Sequence, residues 1–288
     1  MELSYHSPTS VDQAVELLAS RDDARPMSGG TDLLVQMRSG RLKPGAIVDI
    51  KGIDRAVGSR AQDGGFVIGA ATPCTELLDD AALCAAWPGV VEAANLIGSV
   101  QVRNRATIGG NLCNASPAAD SVPALIAAGA RAVVAGPQGE RIVAVEDLLA
   151  GPGWTTLGKG EFVLEFILPV REPGSADAYL RSIPRTEMDI AVVGAGINLS
   201  CDASGTITAA RVALGAVAPT ALLVPDAGAA LIGSKLDEAA LTAMGEAAKA
   251  ACRPIDDKRG TIDYRIAMSA VYARRAAVIA YNRSRETL

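Results

Sequence analysis

The chain has 288 residues, a hydrophobic fraction of 49%, a charged fraction of 20% and a formal net charge of −5. This composition is ordinary for a folded protein of two or three subdomains, and it does not predict disorder. The acidic balance argues against nucleic-acid binding, which needs basic patches, so local backbone donors must hold any bound phosphate.

The start of the chain and its apolar stretches predict a cytoplasmic protein. Glu2 and polar neighbours stand where a secretory signal would place a basic segment and an apolar run. Every apolar stretch long enough to approach the roughly 18 residues of a membrane span is interrupted by charge, as Arg274 and Arg275 interrupt residues 266–281. We therefore expect no transmembrane segment.

Cysteine and histidine are too scattered to predict a metal centre in this chain. The five cysteines, at positions 74, 84, 113, 201 and 252, show no Cys-x-x-Cys spacing, and His6 is the one histidine. Neither a zinc site, nor an iron–sulfur site, nor a hydrolase triad is expected from this set. Cys113 lies beside a glycine pair, where burial as a small apolar side chain is favoured over redox work.

The first 55 residues have the pattern of a small α/β unit. Ser10 and Gln13 have the spacing of a helix capping box, and the apolar residues that follow predict a helix ending near Ser20. Residues 33–37 predict a short helix and residues 47–50 a strand. Between the first helix and the second lies the sequence Pro-Met-Ser-Gly-Gly-Thr-Asp-Leu, residues 26–33.

A second unit follows, with helices first and an antiparallel sheet later. Strands are predicted at 66–70, 132–135, 141–145 and 162–168, and helices near 74–80 and 90–97. Another helix is expected to begin at Asp120, with Pro123 tolerated in its first turn. Residues 169–174 have the composition of a linker.

The remaining residues predict a hairpin followed by helices. Strands at 191–199 and 206–214 flank the turn Asp-Ala-Ser-Gly at 202–205. Helices are expected at 227–231, 238–252 and 262–282.

Two glycine pairs carry the functional signal. Gly29-Gly30 and Gly109-Gly110 lie about 80 residues apart, and each is flanked by small polar residues. Glycine permits positive φ angles and close approach of the backbone, and successive peptide N–H groups form a concavity that binds phosphate. A tight turn is the alternative for either pair alone, but two pairs suit a long diphosphate ligand held from two sides.

Two other glycine-rich stretches imitate nucleotide-binding motifs. Gly194 to Leu199 begins like a dinucleotide fingerprint, but Leu199 stands at the third glycine position. Residues 153–160 imitate a P-loop, but Gly160 replaces the hydroxyl residue that would hold magnesium. We interpret the first as part of a strand and the second as a surface turn.

Two pairs of side chains have alternative interpretations. Arg103 and Arg105 flank the second glycine pair, and either pair with phosphate or face solvent or another subunit. Trp87 and Trp154 suit stacking on a ring system, but core or interface packing is the favoured interpretation in a chain with 3% aromatic residues.

The chain resembles the FAD-binding medium subunits of the molybdenum hydroxylases, the family of xanthine dehydrogenase and the aerobic carbon monoxide, nicotine and aldehyde dehydrogenases. The resemblance covers essentially the whole chain and rests on both glycine pairs, Tyr5 to Pro8, Ser116 to Asp120 and Arg185 to Val192. It implies an α+β fold: a two-subdomain FAD-binding fold of the vanillyl-alcohol-oxidase/PCMH type, then a C-terminal domain of a small antiparallel sheet plus helices. The implied units are 1–55, 56–172 and 173–288.

The resemblance also implies which residues contact FAD. The pyrophosphate and ribityl parts would be wrapped by Pro26, Met27, Ser28, Gly29, Gly30, Thr31, Asp32, Leu33, Thr107, Ile108, Gly109, Gly110 and Asn111. Asp120 would accept hydrogen bonds from sugar or adenine groups, Leu164 would contact the nucleotide, and Arg181 would stabilise anionic reduced flavin. Ile97 stands where the family often has an aromatic residue, and Ile190 where some carbon monoxide dehydrogenases have a tyrosine over the flavin ring.

The function implied is electron transfer, with no catalytic acid or base and no metal in this chain. The expected partners are a small subunit with two [2Fe-2S] clusters and a large subunit with the molybdenum cofactor, in a dimer of heterotrimers. The acceptor, whether NAD, oxygen or a quinone, stays open, as does the substrate. One alternative is a self-sufficient FAD-dependent oxidase or dehydrogenase. Such an enzyme needs a base for its substrate, and His6 is the one histidine in the sequence, so this alternative is weaker. The other alternative is an assembly protein that has lost the flavin.

Overall fold

Three β-sheets and a two-stranded ribbon organise residues 3–288, which are the residues that the computed structural model describes. Glu2, on which the expectation of no secretory signal partly rests, lies outside the described residues. The strands are Ser4–His6 (β1), Ala24–Met27 (β2), Ala46–Asp49 (β3), Ser59–Gln62 (β4), Gly65–Gly69 (β5), Arg131–Gly136 (β6), Gly139–Ala144 (β7), Leu149–Gly151 (β8), Trp154–Thr155 (β9), Phe162–Leu168 (β10), Ser175–Ser182 (β11), Val193–Cys201 (β12), Ile207–Gly215 (β13) and Leu222–Leu223 (β14). The α-helices are Val11–Ser20 (α1), Leu33–Arg38 (α2), Cys74–Asp79 (α3), Ala81–Ala86 (α4), Pro88–Asn95 (α5), Val100–Arg103 (α6), Ile108–Cys113 (α7), Ser121–Ala128 (α8), Pro225–Ala229 (α9), Glu238–Ala251 (α10) and Ile262–Glu286 (α11). None of these helices is both long and apolar enough to cross a membrane.

The first sheet is parallel, in the order β1-β3-β2, and it bears the first glycine pair at its carboxyl edge. Helix α1 begins where the sequence predicts, because the Ser10 hydroxyl accepts a hydrogen bond from the peptide N–H of Gln13 at 3.3 Å. It buries Ala14 and Leu18 against the sheet. Carboxyl ends of parallel strands are where α/β sheets bind ligands.

The second sheet is antiparallel throughout, in the order β4-β5-β10-β6-β7, and it contains all the strands predicted for this unit. Helices α3 to α8 cover it around a core that includes Trp87, Leu125 and Phe166. Every residue of α8 is buried, because this helix lies between the second sheet and the C-terminal domain.

The C-terminal domain is the sheet β11-β12-β13-β14 covered by α9, α10 and α11. The predicted hairpin forms, and the Asp202 carboxylate closes its turn by accepting from the peptide N–H groups of Ser204 at 2.8 Å and Thr206 at 2.9 Å. Helix α11 packs against β11 and β12 with buried alanines, which allow the helix and the sheet to approach closely.

Several local features differ from the sequence-based expectations, among them the eight-residue strand β11 and the strand β9 within the expected surface turn, neither of which was predicted. The second glycine pair is the first turn of helix α7 and not an irregular loop, because the Thr107 hydroxyl caps the helix by accepting from Gly110 N–H at 2.9 Å. Two short helices, α4 and α6, were not expected. Asp120 stands at the N-cap of α8, but its side chain makes no cap hydrogen bond.

Buried charge holds the C-terminal domain against the second unit. The Asp177 carboxylate, on β11, accepts from Arg171 Nη2 at 2.5 Å and from the peptide N–H of Val90 at 3.1 Å. The Arg171 guanidinium also lies 3.7 Å from the centre of the Trp87 ring. Gly89 permits this approach, since a Cβ there would lie 2.6 Å from Asp177 Oδ2. The linker, helix α5 and strand β11 therefore meet at one carboxylate.

Replacement of Asp177 by Asn tests this junction. Asp177 is only 2% exposed, so the variant leaves the buried Arg171 cation without its counter-ion, and we expect the free energy of unfolding to fall by about 3 kcal/mol. Glu246→Gln, which breaks the exposed pair with Lys249, is the matched control and should cost less than about 0.5 kcal/mol. Urea denaturation followed by circular dichroism compares the two, and equal midpoints would contradict the role given to Asp177.

Candidate functional site

A cleft of about 760 Å³ runs between the first sheet and the second unit. Its lining includes most of the residues that the sequence singled out, namely Pro26, Met27, Ser28, Gly29, Gly30, Thr31, Asp32, Leu33, Ile97, Thr107, Gly109, Gly110 and Asn111. Residues 152–163, which include the second strand of the ribbon and the start of β10, form another wall. The two glycine pairs therefore share one cavity of a size that suits a nucleotide cofactor.

The first glycine segment presents a row of free donors. It follows β2 directly, and Gly30 has a φ of +76°, which favours glycine. The peptide N–H groups of five successive residues, Gly29 to Leu33, find no acceptor among residues 3–288. All of these residues except the exposed Asp32 are buried or half-buried. Peptide donors in such positions are nearly always paired, so a run of free ones favours an anionic ligand.

The two glycine segments touch each other. A Cβ on Gly29 would overlap the carbonyl oxygen of Arg105, so only glycine fits there. The Ser28 and Thr107 hydroxyls are 3.0 Å apart and hydrogen-bonded. A second side-chain bond joins the helices that follow the two glycine segments: the Gln36 amide, on α2, donates to Asn114 Oδ1, at the end of α7, at 2.9 Å. Side chains and backbone thus join the segments into one wall.

The second segment contributes a donor through a helix start. The N–H of Gly109, in the first turn of α7, has no acceptor among the described residues, whereas that of Ile108 faces Thr72 in the bridge between Pro73 and Thr107. The Ile108 side chain is fully buried and does not line the cleft. Gly110 has no positive φ, and a Cβ there would lie 3.1 Å from Ser28 Oγ. Gly109 is the more constrained of the pair, since its Cβ would overlap Ala70.

Asn111 and Asp120 are engaged within the protein. The Asn111 amide oxygen accepts from the Ser121 hydroxyl at 2.7 Å and from the Ser121 peptide N–H at 3.1 Å, so it fixes the start of α8. Asp120 accepts from Arg181 Nη1 at 2.6 Å and from the Tyr179 hydroxyl at 3.1 Å. Burial raises the pKa of Asp120 to about 6, against the opposing effect of these two donors.

Five of the predicted contact residues lie outside the lining of the cleft: Ile108, Asp120, Leu164, Arg181 and Ile190. Leu164 is completely buried in the core beneath the first sheet. Asp120 and Arg181 are buried between the second unit and the C-terminal domain. Ile190 is 49% exposed, at the end of the connection that follows β11. Their contacts with a cofactor remain predictions from the resemblance.

The structure also shows where the two tryptophans and the two arginines with alternative interpretations lie. Trp87 is buried, as expected, whereas Trp154 is 73% exposed at the cleft, which excludes core packing for it and leaves packing at an interface a prediction. Its position in a two-stranded ribbon leaves no layer to cover it. Arg103 is 8% exposed, donates to the Ile97 carbonyl at 3.3 Å and is not a solvated side chain, whereas Arg105 is exposed.

Cys113 lines the cleft without the character of a reactive thiol. Burial raises its pKa to about 12, so the thiol stays protonated at neutral pH. Asp32, also in the lining, has a pKa raised by burial. No group of three or more His, Cys, Asp or Glu side chains in residues 3–288 has the arrangement of a metal site.

A group that sequence reasoning missed lies behind the first glycine segment. Lys51 Nζ donates to the Ser28 carbonyl at 2.8 Å and to Asp49 Oδ1 at 2.6 Å. The Tyr5 hydroxyl donates to Asp49 Oδ2 at 2.6 Å. The one signal in the sequence was the position of Asp49 and Lys51 at the end of a predicted strand, at the edge where α/β sheets bind ligands.

Comparison with known proteins gives matches over the whole chain. Residues 1–171 match the family described as FAD binding domain in molybdopterin dehydrogenase, and residues 178–279 match the CO dehydrogenase flavoprotein C-terminal domain. The carbon monoxide dehydrogenase medium chain of Hydrogenophaga pseudoflava is 35% identical over 97% of each chain. The xanthine dehydrogenase FAD-binding subunit of Escherichia coli O157:H7 is 30% identical, over 91% of this chain and 90% of the relative.

Solved structures agree with these matches. The structure of the cyanide-inactivated Cu,Mo-CO dehydrogenase contains a chain that superposes with a TM-score of 0.94 at 35% identity, covering 98% of this chain and 99% of that one. Quinoline 2-oxidoreductase from Pseudomonas putida 86 contains one with a TM-score of 0.89 at 28% identity, covering 99% of both.

Replacement of Gly29 by Ala tests whether the contact between the segments builds the site. The new methyl group must push the Arg105 carbonyl away, which separates the two walls, and we expect FAD affinity to fall at least about tenfold, or ~1.4 kcal/mol. Gly151→Ala is the control, because a Cβ there meets nothing within 4 Å. Flavin retained per chain after gel filtration measures the effect. If the Gly29 variant retained as much flavin as the wild type, the contact between Gly29 and Arg105 would not be needed for the site.

Proposed function

The chain belongs to the family of FAD-binding medium subunits of molybdenum-containing dehydrogenases, and we propose that it is the electron-transfer subunit that carries FAD in such an enzyme. The observation that carries the proposal is the row of five free peptide donors, Gly29 to Leu33, facing a cleft shared with the second glycine pair. When bound, FAD supplies the chemistry that links one-electron donors to a two-electron acceptor.

The residues of the cleft fit a dinucleotide diphosphate. The free N–H groups of the first segment and that of Gly109 offer donors from both sides of the cavity. Neutral peptide donors hold an anion without a basic patch, which suits a chain of net charge −5. The missing Cβ of Gly29 lets the two sets of donors approach one ligand.

We assign Arg181, which lies outside the cleft lining, to the flavin side of the cofactor. Arg181 is buried, is paired with Asp120 at 2.6 Å, and has an Nε that finds no partner among the described residues. A cation held in this way stabilises negative charge on a reduced flavin. We keep Leu164 and Asp120 as nucleotide contacts, Ile190 as a ring contact and Ile97 as a cofactor contact, on the strength of the resemblance. Under this proposal residues 1–55 and 56–172 hold FAD, and 173–288 pack against it.

The chain is a subunit of a multi-subunit enzyme, as its relatives are medium chains or FAD subunits. We propose a small subunit with two [2Fe-2S] clusters and a large subunit with the molybdenum cofactor as partners, in a dimer of heterotrimers in the cytoplasm. The scattered, unpaired cysteines at 74, 84, 113, 201 and 252 support a reducing compartment. The terminal electron acceptor and the substrate of the complex stay open.

A self-sufficient flavoenzyme is less well supported. Such an enzyme needs a substrate base near the flavin. The single histidine, His6, lines a separate shallow groove with Pro8 and Glu16, where its Nε2 is 3.2 Å from Ser4 Oγ. The cleft therefore offers donors for binding but no imidazole for proton abstraction.

Non-covalent binding of FAD is the first prediction of this assignment. Cys113 is the one cysteine among the described residues that line the cleft, and a pKa of about 12 keeps its thiol protonated and unreactive. Acid precipitation of the purified complex should release all flavin into the supernatant, measured by absorbance and identified by mass. Flavin that remains with the pellet would contradict non-covalent binding.

Removal of FAD from the intact complex tests the direction of electron flow. If FAD lies downstream of the clusters, the deflavinated complex should still show cluster bleaching by substrate at near the normal rate, whereas reduction of the natural acceptor should stop. Stopped-flow absorbance of the two preparations measures both steps, and reloading with FAD is the control. Loss of cluster reduction in the deflavinated complex would show that FAD does not lie after the clusters and would contradict the proposed electron-transfer role.

A further inference from the structure

The ammonium of Lys51 ties the first glycine segment to the sheet that carries it. Lys51 lies in a 3-10 turn, Ile50–Gly52, directly after β3. Its Nζ donates to the Ser28 carbonyl at 2.8 Å and to Asp49 Oδ1 at 2.6 Å. Ser28 is the residue between β2 and the glycine pair. The glycine segment is thus bound from behind at its first peptide.

Asp49 holds the Lys51 side chain in this position. Its Oδ1 also accepts from the Lys51 peptide N–H at 3.1 Å, and its Oδ2 accepts from the Tyr5 hydroxyl at 2.6 Å. Asp49 is opposite Met27 in the parallel pair β2–β3. The side chains of Asp49 and Lys51 are 7% and 25% exposed, so solvent screens their ion pair only partly. Residues of β1 and β3 therefore fix one ammonium group.

The bond to the Ser28 carbonyl sets the direction of the next peptide N–H. A trans peptide is planar, with its C=O and N–H pointing in opposite directions. With the Ser28 carbonyl turned to Lys51, the N–H of Gly29 points away from Lys51. This N–H is the first of the five free donors. Lys51 itself is not part of the cleft lining, so it acts through this peptide and not by touching the ligand.

We propose that Lys51 is a positioning residue for the diphosphate, which rests on the proposed FAD function. Its ammonium keeps the Ser28 carbonyl, which would repel phosphate, directed away from the cleft and keeps the Gly29 N–H directed into it. The link continues across the site, because the Ser28 hydroxyl bonds to Thr107, which caps the second glycine helix. Lys51 therefore orders the donors of the first segment and steadies their contact with the second.

Comparing the binding of FAD with that of riboflavin, which has no phosphate, distinguishes a positioning role of Lys51 from a general effect on protein stability. In the full chain freed of flavin, we expect Lys51→Met to raise the dissociation constant for FAD by about tenfold to a hundredfold. The dissociation constant for riboflavin, which lacks phosphate, should change less than threefold. Lys51→Arg keeps the charged donor and should restore FAD binding to within about fivefold of wild type. Lys249→Met removes another ion-paired lysine, on α10, and serves as the matched control.

The double variant Asp49→Asn, Lys51→Met separates two effects of removing the ammonium. It leaves no uncompensated carboxylate behind the segment, so a loss of FAD affinity that persists in it comes from the freed Ser28 peptide. Should Lys51→Met fail to fold, the comparison of Lys51→Gln with Lys51→Arg gives the same decision. Thermal unfolding of each flavin-free variant identifies misfolded chains.

Each result supports or overturns one claim. Wild-type FAD affinity in the Lys51→Met variant, or an equal loss for riboflavin and FAD, would overturn the positioning role. Recovery of FAD affinity in the double variant would also overturn the positioning role. The loss seen in Lys51→Met would then come from the uncompensated charge of Asp49 and not from the freed Ser28 peptide. A wild-type chain that binds neither flavin would overturn the proposed function itself, and the Lys51 comparison would not be needed to see this.

Discussion

A Cβ on Gly29 would overlap the carbonyl oxygen of Arg105, and the rest of the site depends on the contact that its absence permits. Two segments that are far apart in sequence meet there, and the Ser28–Thr107 hydroxyl pair at 3.0 Å closes the contact. Because the segments touch, the free N–H groups of residues 29–33 and that of Gly109 belong to one cavity. Neutral donors gathered in this way would hold the proposed diphosphate without a basic surface, which suits a chain of net charge −5.

Buried charge gives the C-terminal domain a fixed place beside this cavity. Asp177 joins Arg171 and the start of α5, and Asp120 joins Arg181 and Tyr179 across the second unit and the C-terminal sheet. Breaking a buried pair costs several kcal/mol, so these contacts resist separation of the two parts. The same contacts hold the Arg181 cation in place, which its proposed role beside a reduced flavin would require.

Local signals in the sequence predicted local structure well. The Ser10 cap and the hairpin around Asp202 form because each depends on neighbours in sequence. The predicted strands of the second unit also form, although β10 pairs with the distant strand β5. The contacts that build the site depend on distant residues: the Ser28–Thr107 hydroxyl pair, for example, joins residues 79 positions apart.

Tertiary contacts also decide which polar groups remain free. Asp120 looks like a cap in sequence, but Arg181 takes its carboxylate. Lys51 resembles any surface lysine until β2 and β3 bring the Ser28 carbonyl to its ammonium. A structure of the complex loaded with FAD tests the central claim most directly. Pyrophosphate oxygens should lie about 2.7–3.2 Å from peptide nitrogens within residues 29–33. A pyrophosphate bound elsewhere, with those N–H groups on water, would contradict the account.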